Sequence, residues 1–227
     1  IINDKVVTYE DCYCFVEDDE NAPNDGETVV AEAEISKDSD IAVPDFKLWS
    51  VETPALHTVT ISAGDDELTE TFGIREIRTE GRKLLLNGKE LKLYGVNRHE
   101  SFPTVGAAVS PQQMAMDLYM LKQAGFNFIR GSHYPQRKAF LELCDKTGML
   151  LWEETIGWNI KAPTLADPAF VATQLEQVEH MTWNSFNHPC VVIRGFLNET
   201  DSQFPETRPV IKALYDRIRS IDPHTPI

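Results

Sequence analysis

The hydrophobic positions of this chain keep two different rhythms, and the change between them falls near residue 78. Before it, residues 29–35 (VVAEAEI) and 58–62 (TVTIS) alternate with period two, the mark of strands with one buried face. Polar clusters such as Pro23-Asn24-Asp25-Gly26 and Ala63-Gly64-Asp65-Asp66 separate such runs and read as turns. Short strands joined by polar turns predict a β-sandwich over residues 1–77. Leu84-Leu85-Leu86 and Leu91-Lys92-Leu93 then flank Asn87-Gly88, a hairpin signal because both turn residues tolerate positive φ.

The second arm of that hairpin runs on into Tyr94-Gly95-Val96-Asn97, the first of four strands that take turns with helices. Ser110, Pro111 and Gln113 offer an N-cap, a first helical position and a capping-box partner, and Met114, Leu118 and Leu121 recur at helical spacing until Gly125. A second strand covers 126–130. A helix from about Gln136 to Thr147 closes at Gly148, ahead of a third strand at 149–152. Asp167-Pro168 opens a third helix with Val171, Leu175, Val178 and Thr182 on one stripe. The fourth strand is the apolar run 191–199, and a fourth helix carries Val210, Leu214 and Ile218. Such alternation specifies a parallel sheet. A complete TIM barrel needs eight βα units and about 250 residues, so residues 78–227 are expected to form strands 1–4 of a partial (β/α)8 TIM barrel. A doubly wound open sheet is the alternative, but no G-x-G-x-x-G or Walker pattern follows any strand.

Each strand ends in polar residues. These are Asn97-Arg98-His99-Glu100, Arg130-Gly131-Ser132-His133-Tyr134, Glu153-Glu154 and Asn198-Glu199. A core needs none of them, whereas the C-terminal rim of a β/α barrel is where its chemistry is done. Side chains alternate along a strand, so one of Glu153 and Glu154 faces the barrel mouth, and Glu154 is the expected one. A Glu199 set among apolar neighbours would keep a proton near neutrality and serve as an acid. The plain readings are a helix-capping Glu199, hydrogen-bonded His99 and His133, and an Arg130 that merely neutralises Glu154 or Glu199. Trp152, Trp158 and Trp183 read as core, although Trp158 lies in a βα loop and could stack on a sugar ring.

Charge sharpens the division. Residues 1–77 hold 20 acids and 4 bases, while residues 78–227 hold 16 acids and 17 bases, as expected of two domains with different surfaces. The net charge of −15 repels nucleic acid and anionic membranes, so neither is expected as a partner. Cys12, Cys14, Cys144 and Cys190 lack metal or disulfide spacing. Buried free thiols favour a reducing compartment and hence a cytoplasmic location.

Several stretches resemble glycoside hydrolase family 2, which contains β-galactosidases, β-glucuronidases and β-mannosidases. Asn127-Phe128-Ile129-Arg130-Gly131-Ser132-His133-Tyr134-Pro135, continued by Phe140-Leu141, Asp145, Gly148 and Met149 to Trp152, is similar to that family's first signature. Asn187-His188-Pro189-Cys190-Val191-Val192-Ile193, closing in Gly195-Phe196-Leu197-Asn198-Glu199, is similar to its acid/base signature. Phe72-Gly73-Ile74-Arg75, Leu86-Asn87-Gly88-Lys89 and Gly95-Val96-Asn97-Arg98-His99-Glu100 resemble its sandwich-to-barrel junction. The resemblance implies an immunoglobulin-like sandwich before the barrel, a carbohydrate substrate and no cofactor.

It also implies a retaining mechanism with two carboxylates about 5–5.5 Å apart. Glu199 would be the general acid/base, Asn198 would hold the sugar 2-hydroxyl, and Arg130 would orient the nucleophile. Asn97, His99, His133, Glu154 and Trp158 would contribute to the sugar pocket, and the galactosidase-like segments favour β-galactosides. Arg194 stands where the family usually has Trp, so its cation must find a partner or reach solvent. Metal-dependent relatives carry Glu and His where this chain has Trp158 and Ile160, so no magnesium bridge to Glu199 is expected. The nucleophile comes from a seventh strand in the family, and this chain ends before the fifth. It is therefore expected to be a fragment, inactive alone, whose open sheet edges promote homo-oligomerisation or aggregation. Two competing readings are a non-catalytic carbohydrate binder and a metal-dependent barrel hydrolase using His99, His133 and Glu154; the latter lacks the His-x-His pair of a first strand.

Overall fold

The computed structural model describes residues 12–18, 33–34, 43, 45–63 and 65–227. The chain is a β-sandwich domain followed by part of a TIM barrel. The described part of the sandwich is a four-stranded antiparallel sheet, ordered β2-β1-β3-β4, from β1 (Cys12–Asp18), β2 (Ala33–Glu34), β3 (His57–Ala63) and β4 (Asp66–Phe72). The turn expected at residues 23–26, most of the strand expected at 29–35, and the side chains of Cys12 and Cys14 lie outside the described residues. Next come β5 (Ile77–Glu80), β6 (Lys83–Leu86) and β7 (Lys89–Leu91) as an antiparallel three-stranded sheet. Asn87 and Gly88, with φ of 50° and 75°, form the turn read from the sequence.

The barrel sheet is ordered β11-β10-β9-β8, all parallel, from β8 (Gly95–Arg98), β9 (Phe128–Gly131), β10 (Leu150–Glu154) and β11 (Val191–Gly195). Five helices accompany it: α1 (Pro111–Gln123), α2 (Lys138–Thr147), α3 (Ala162–Leu165), α4 (Pro168–Asn184) and α5 (Arg208–Ile221). Ser110 caps α1 by accepting from the Gln113 N–H at 3.2 Å, but the expected capping box is not completed. The Gln113 amide instead donates to Asp117, one turn along, at 3.1 Å. Helix α2 begins two residues later than expected because Gln136 is buried and its N–H donates to Glu153 at 3.2 Å. The single turn α3 and a 3-10 turn over Pro205–Thr207 carried no periodic signal. None of the helices among the described residues is long and apolar enough to cross a membrane.

One correction bears on the site. The fourth barrel strand was expected over nine residues, yet β11 ends at Gly195, and Leu197 and Glu199 have φ of 58° and 50°. An L-residue in that region turns the chain out of strand geometry, so residues 196–199 are loop.

The main core joins the outer side of the barrel sheet, α1 and α2 to the sandwich. Ile129, Met149, Leu151, Phe140 and Met114 pack there with Trp49 and Leu56. Trp49 is fully buried and its indole N–H donates to the Asp145 carbonyl at 2.8 Å. Arg75 donates to the carbonyls of Pro189 and Val191 at 3.1 and 2.6 Å, and burial brings its pKa down to about 10. Asp145 accepts from the Cys190 N–H at 3.0 Å and pairs with His188 at 2.5 Å. These bonds fix the entry to β11, and so the place where its far end emerges. Cys144 and Cys190 are buried free thiols, with burial pushing Cys190 well above the ordinary thiol value. A second cluster, of Val178, Leu165, Val210, Leu214 and Ile218, holds α4 and α5 together.

Candidate active site

Strand register decides which polar residues meet. Asn97 pairs with Arg130, and Arg130 with Trp152, so these three point to the same side of the sheet, as does Glu154 two residues beyond Trp152. Arg98, Glu153 and Arg194 take the opposite side, under the helices. Arg98 donates to Asp117 of α1 at 3.0 and 3.1 Å, with its guanidinium 4.2 Å from the Phe140 ring centroid.

On the inner side Arg130 is the hub. Its guanidinium donates to Glu154 at 2.9 and 3.1 Å, to the Asn198 side-chain oxygen at 2.8 Å, and lies 4.8 Å from the Trp152 ring centroid. Glu154 is 2% exposed and accepts a further bond from His133 Nδ1. A buried carboxylate that receives a bidentate guanidinium and an imidazole has its acceptor sites filled. His99 extends the cluster edge-on to His133, with ring centroids 5.3 Å apart. Tyr134 accepts the Glu100 N–H at 2.6 Å and so braces the loop after β8. The loops after β10 and β11 also run together. Trp158 and Asn198 form a parallel bridge, and the Trp158 indole donates to Glu199 at 3.0 Å.

The structure thus brings Arg130, His133, Glu154 and Asn198 into one network, with His99 edge-on to His133. Glu199 and Trp158 form a pair beside Asn198, while Asn97 sits on the first strand at the register of Arg130. Two expectations need correcting. Glu199 is exposed rather than set among apolar neighbours, because the apolar run breaks off before it. Trp152 is not simply core: alternation places it under Arg130, a signal present in the sequence and missed. Arg194 finds partners. It is 1% exposed and donates to Asp222 at 2.8 Å and Ser185 at 2.6 Å. Its Nη1 also stands 3.7 Å from Glu153.

Among the described residues no group of three His, Cys, Asp or Glu side chains is placed to hold a metal. The His99, His133 and Glu154 reading also fails on charge, because the Arg130 guanidinium is within bonding distance of Glu154 and 3.4 Å from His133 Nδ1.

A parallel βα sheet that gathers its polar residues at the C-terminal rim defines a β/α-barrel protein with a rim site. Residues 77–227 match the profile of the TIM barrel domain of glycosyl hydrolases family 2, and residues 9–75 match a further profile described as glycosyl hydrolases family 2. The chain belongs to glycoside hydrolase family 2. It superposes on the β-galacturonidase of Eisenbergiella tayi bound to galacturonate with a TM-score of 0.81 and 32% identity, covering 95% of this chain and 39% of that one. For the β-glucuronidase of Faecalibacterium prausnitzii the TM-score is 0.84 and the identity 31%, over 95% and 36% of the two chains. For that of Parabacteroides merdae they are 0.78 and 29%, over 95% and 28%. The chain therefore spans less than two fifths of the length of these solved relatives.

Proposed function

We propose that this chain supplies the acid/base side of a retaining glycosidase that cleaves terminal β-glycosides. The observation that carries this reading is the single network in which Arg130 joins Glu154 and His133 to Asn198, the neighbour of Glu199. Glu199 protonates the glycosidic oxygen as the bond to the anomeric carbon breaks, and then takes a proton from the water that releases the sugar. Asn198 turns its side-chain oxygen to Arg130, which leaves its amide N–H groups for a sugar hydroxyl. His99, His133 and Asn97 line the sugar's approach, and Trp158 lies beside the leaving group.

The attacking carboxylate is a separate group. Glu154 is unsuited to that role, because Arg130 and His133 engage it and it is nearly sealed from solvent. In this reading the nucleophile, and the wall that encloses Glu199, come from parts of the whole protein beyond the described residues.

The sugar is a β-uronide in our reading, on the strength of the β-galacturonidase and β-glucuronidases that the chain resembles at 29–32% identity. A β-galactoside is the second reading, favoured by the segments Asn97-Arg98-His99-Glu100 and Gly131-Ser132-His133-Tyr134-Pro135. Galactose and galacturonic acid share ring configuration and differ at C6, whereas glucuronic acid differs from galactose at C4 as well. Turnover of nitrophenyl β-galacturonide, β-glucuronide and β-galactoside by the whole protein chooses among them. Glu199→Gln in the whole protein should lower kcat by roughly 10²- to 10⁴-fold. A protein that binds these sugars equally well with either residue and cleaves none is a lectin-like relative, and the hydrolase reading fails.

A further inference from the structure

The geometry points to Trp158 as the positioning residue for Glu199, holding the carboxylate by its indole N–H and offering its ring face to the leaving group. This rests on the acid/base role proposed for Glu199.

Pairing between β10 and β11 does not stop where the strands end. Beyond them the Thr155 N–H donates to the Gly195 carbonyl at 3.3 Å, the Asn159 N–H to the Asn198 carbonyl at 2.9 Å, and the Asp201 N–H to the Ile160 carbonyl at 3.1 Å. Asp201 returns a side-chain oxygen to the Ala162 N–H at 3.1 Å. Gly157 lets the two loops close up, since a Cβ there would sit 2.7 Å from Leu197 Cδ2. The loops form a short parallel ladder, with Trp158 opposite Asn198 and its indole reaching the next residue, Glu199.

Glu199 needs such a hold. It lies on a loop with left-handed backbone, and a glutamate side chain with no fixed partner samples many rotamers. A general acid must wait within hydrogen-bond reach of the leaving oxygen. The indole takes Oε2, while Oε1 has no hydrogen-bond partner among the described residues and remains free to meet that oxygen. An indole N–H cannot accept a proton, so it holds the carboxyl without competing for the proton to be delivered. The ring itself is 63% exposed, a broad apolar face beside the bond to be cut.

The test separates the N–H from the ring. In the whole protein, kcat/KM is measured for phenyl and 2,4-dinitrophenyl glycosides of the sugar selected above. The phenyl group leaves only with a proton, and the dinitrophenyl group leaves without one. Trp158→Phe keeps a ring but loses the donor, and should lower the phenyl-to-dinitrophenyl ratio roughly 3- to 10-fold, the value of one hydrogen bond. Trp158→Ala should lower the ratio as much and also raise KM for both substrates. Glu199→Ala should collapse the ratio further, with azide restoring turnover of the dinitrophenyl glycoside. A Trp158→Phe ratio within twofold of wild type beside a collapsed Glu199→Ala ratio refutes the positioning role and leaves the acid/base role standing. An intact ratio in Glu199→Ala removes both. A fold defect slows the two substrates together, leaves the ratio unchanged, and so also counts against the inference.

Discussion

Arg194→Met tests the ion layer beneath the site. Methionine has nearly the length of the arginine stem and no charge, so the change empties little space. It removes the donor that Asp222 and Ser185 share and the cation nearest Glu153. Taking one partner from a buried pair costs roughly 3–5 kcal/mol, because the remaining charge stays buried without compensation. Against a typical stability of about 5–15 kcal/mol this is a large loss. At roughly 2–4 °C per kcal/mol for a domain of this size, unfolding should begin about 6–20 °C lower.

The same change should alter the response to pH. Burial by itself pushes the Asp222 carboxyl up, but the Arg194 guanidinium and hydrogen bonds from Thr225 outweigh it and hold it well below the usual carboxylate range. Such a group contributes its full stability above its unfolded value of about 4, and loses it only as the pH falls through the lower folded value. Glu153 goes the other way. Burial raises it, with Arg194 opposing only in part, so its ionisation costs stability as the pH climbs past the unfolded value. Without Arg194 both carboxyls titrate higher than they do in the wild type, so the variant's folded state binds protons more readily than the wild type's. The penalty should therefore be largest near neutrality and shrink toward about pH 5, by up to roughly 1.4 kcal/mol per pH unit for each group. Urea unfolding of the two proteins between about pH 5 and 8 reads this directly. Adding Asp222→Asn to Arg194→Met should recover part of the loss. A penalty under about 1 kcal/mol that is the same at every pH would show that Arg194 is not neutralising these carboxylates.

Gly148→Ala should destabilise by about 2 kcal/mol or more in a thermal melt, since φ is 66° and the new Cβ would lie 2.4 Å from the Val51 carbonyl oxygen. Leu197→Val puts a β-branched residue at φ 58° and should cost about 1–3 kcal/mol in urea unfolding. Because Asn198 and Glu199 follow directly, kcat on the selected glycoside should fall as well. Glu154→Gln should lower kcat/KM by roughly 30- to 150-fold through release of Arg130 and His133, with a change of under twofold refuting that coupling.

The elements legible in the sequence were those whose signals are local. Asn87-Gly88 in the hairpin, Ser110-Pro111 at the start of α1, Gly148 at the end of α2 and Asp167-Pro168 before α4 each act within one turn of chain. The alternation that aims Glu154 inward and Glu153 outward was legible for the same reason. What escaped depends on contacts across the fold. The break in the apolar run after Gly195 has no local mark, for Phe196 and Leu197 are good strand formers and Leu197 holds its positive φ against its own preference. The indole bond from Trp158 to Glu199 and the clasp of Asp222 on Arg194 join residues 41 and 28 positions apart.

The two faces of one sheet explain why neighbouring charges here do unrelated work. Arg98, Glu153 and Arg194 point outward and tie the strands to Asp117 on α1, to the Gln136 N–H before α2, and to Ser185 and Asp222 at the ends of α4 and α5. Arg130 and Glu154 point inward and meet His133 and Asn198. Glu153 and Glu154 differ by one position, so a register slip of one residue in β10 would turn each to the opposite face of the sheet. Such a slip is opposed in either direction. One way takes the Gln136 N–H and the Arg194 cation from Glu153, and the other takes Arg130 and His133 from Glu154. A neutral strand could shift at the cost of its packing alone; this one would also strip one carboxylate of its partners, because a slip either way moves only one of the two into the other's place. The outward ion layer thus has a consequence for the inward one, because it locks the register on which the geometry of the rim depends.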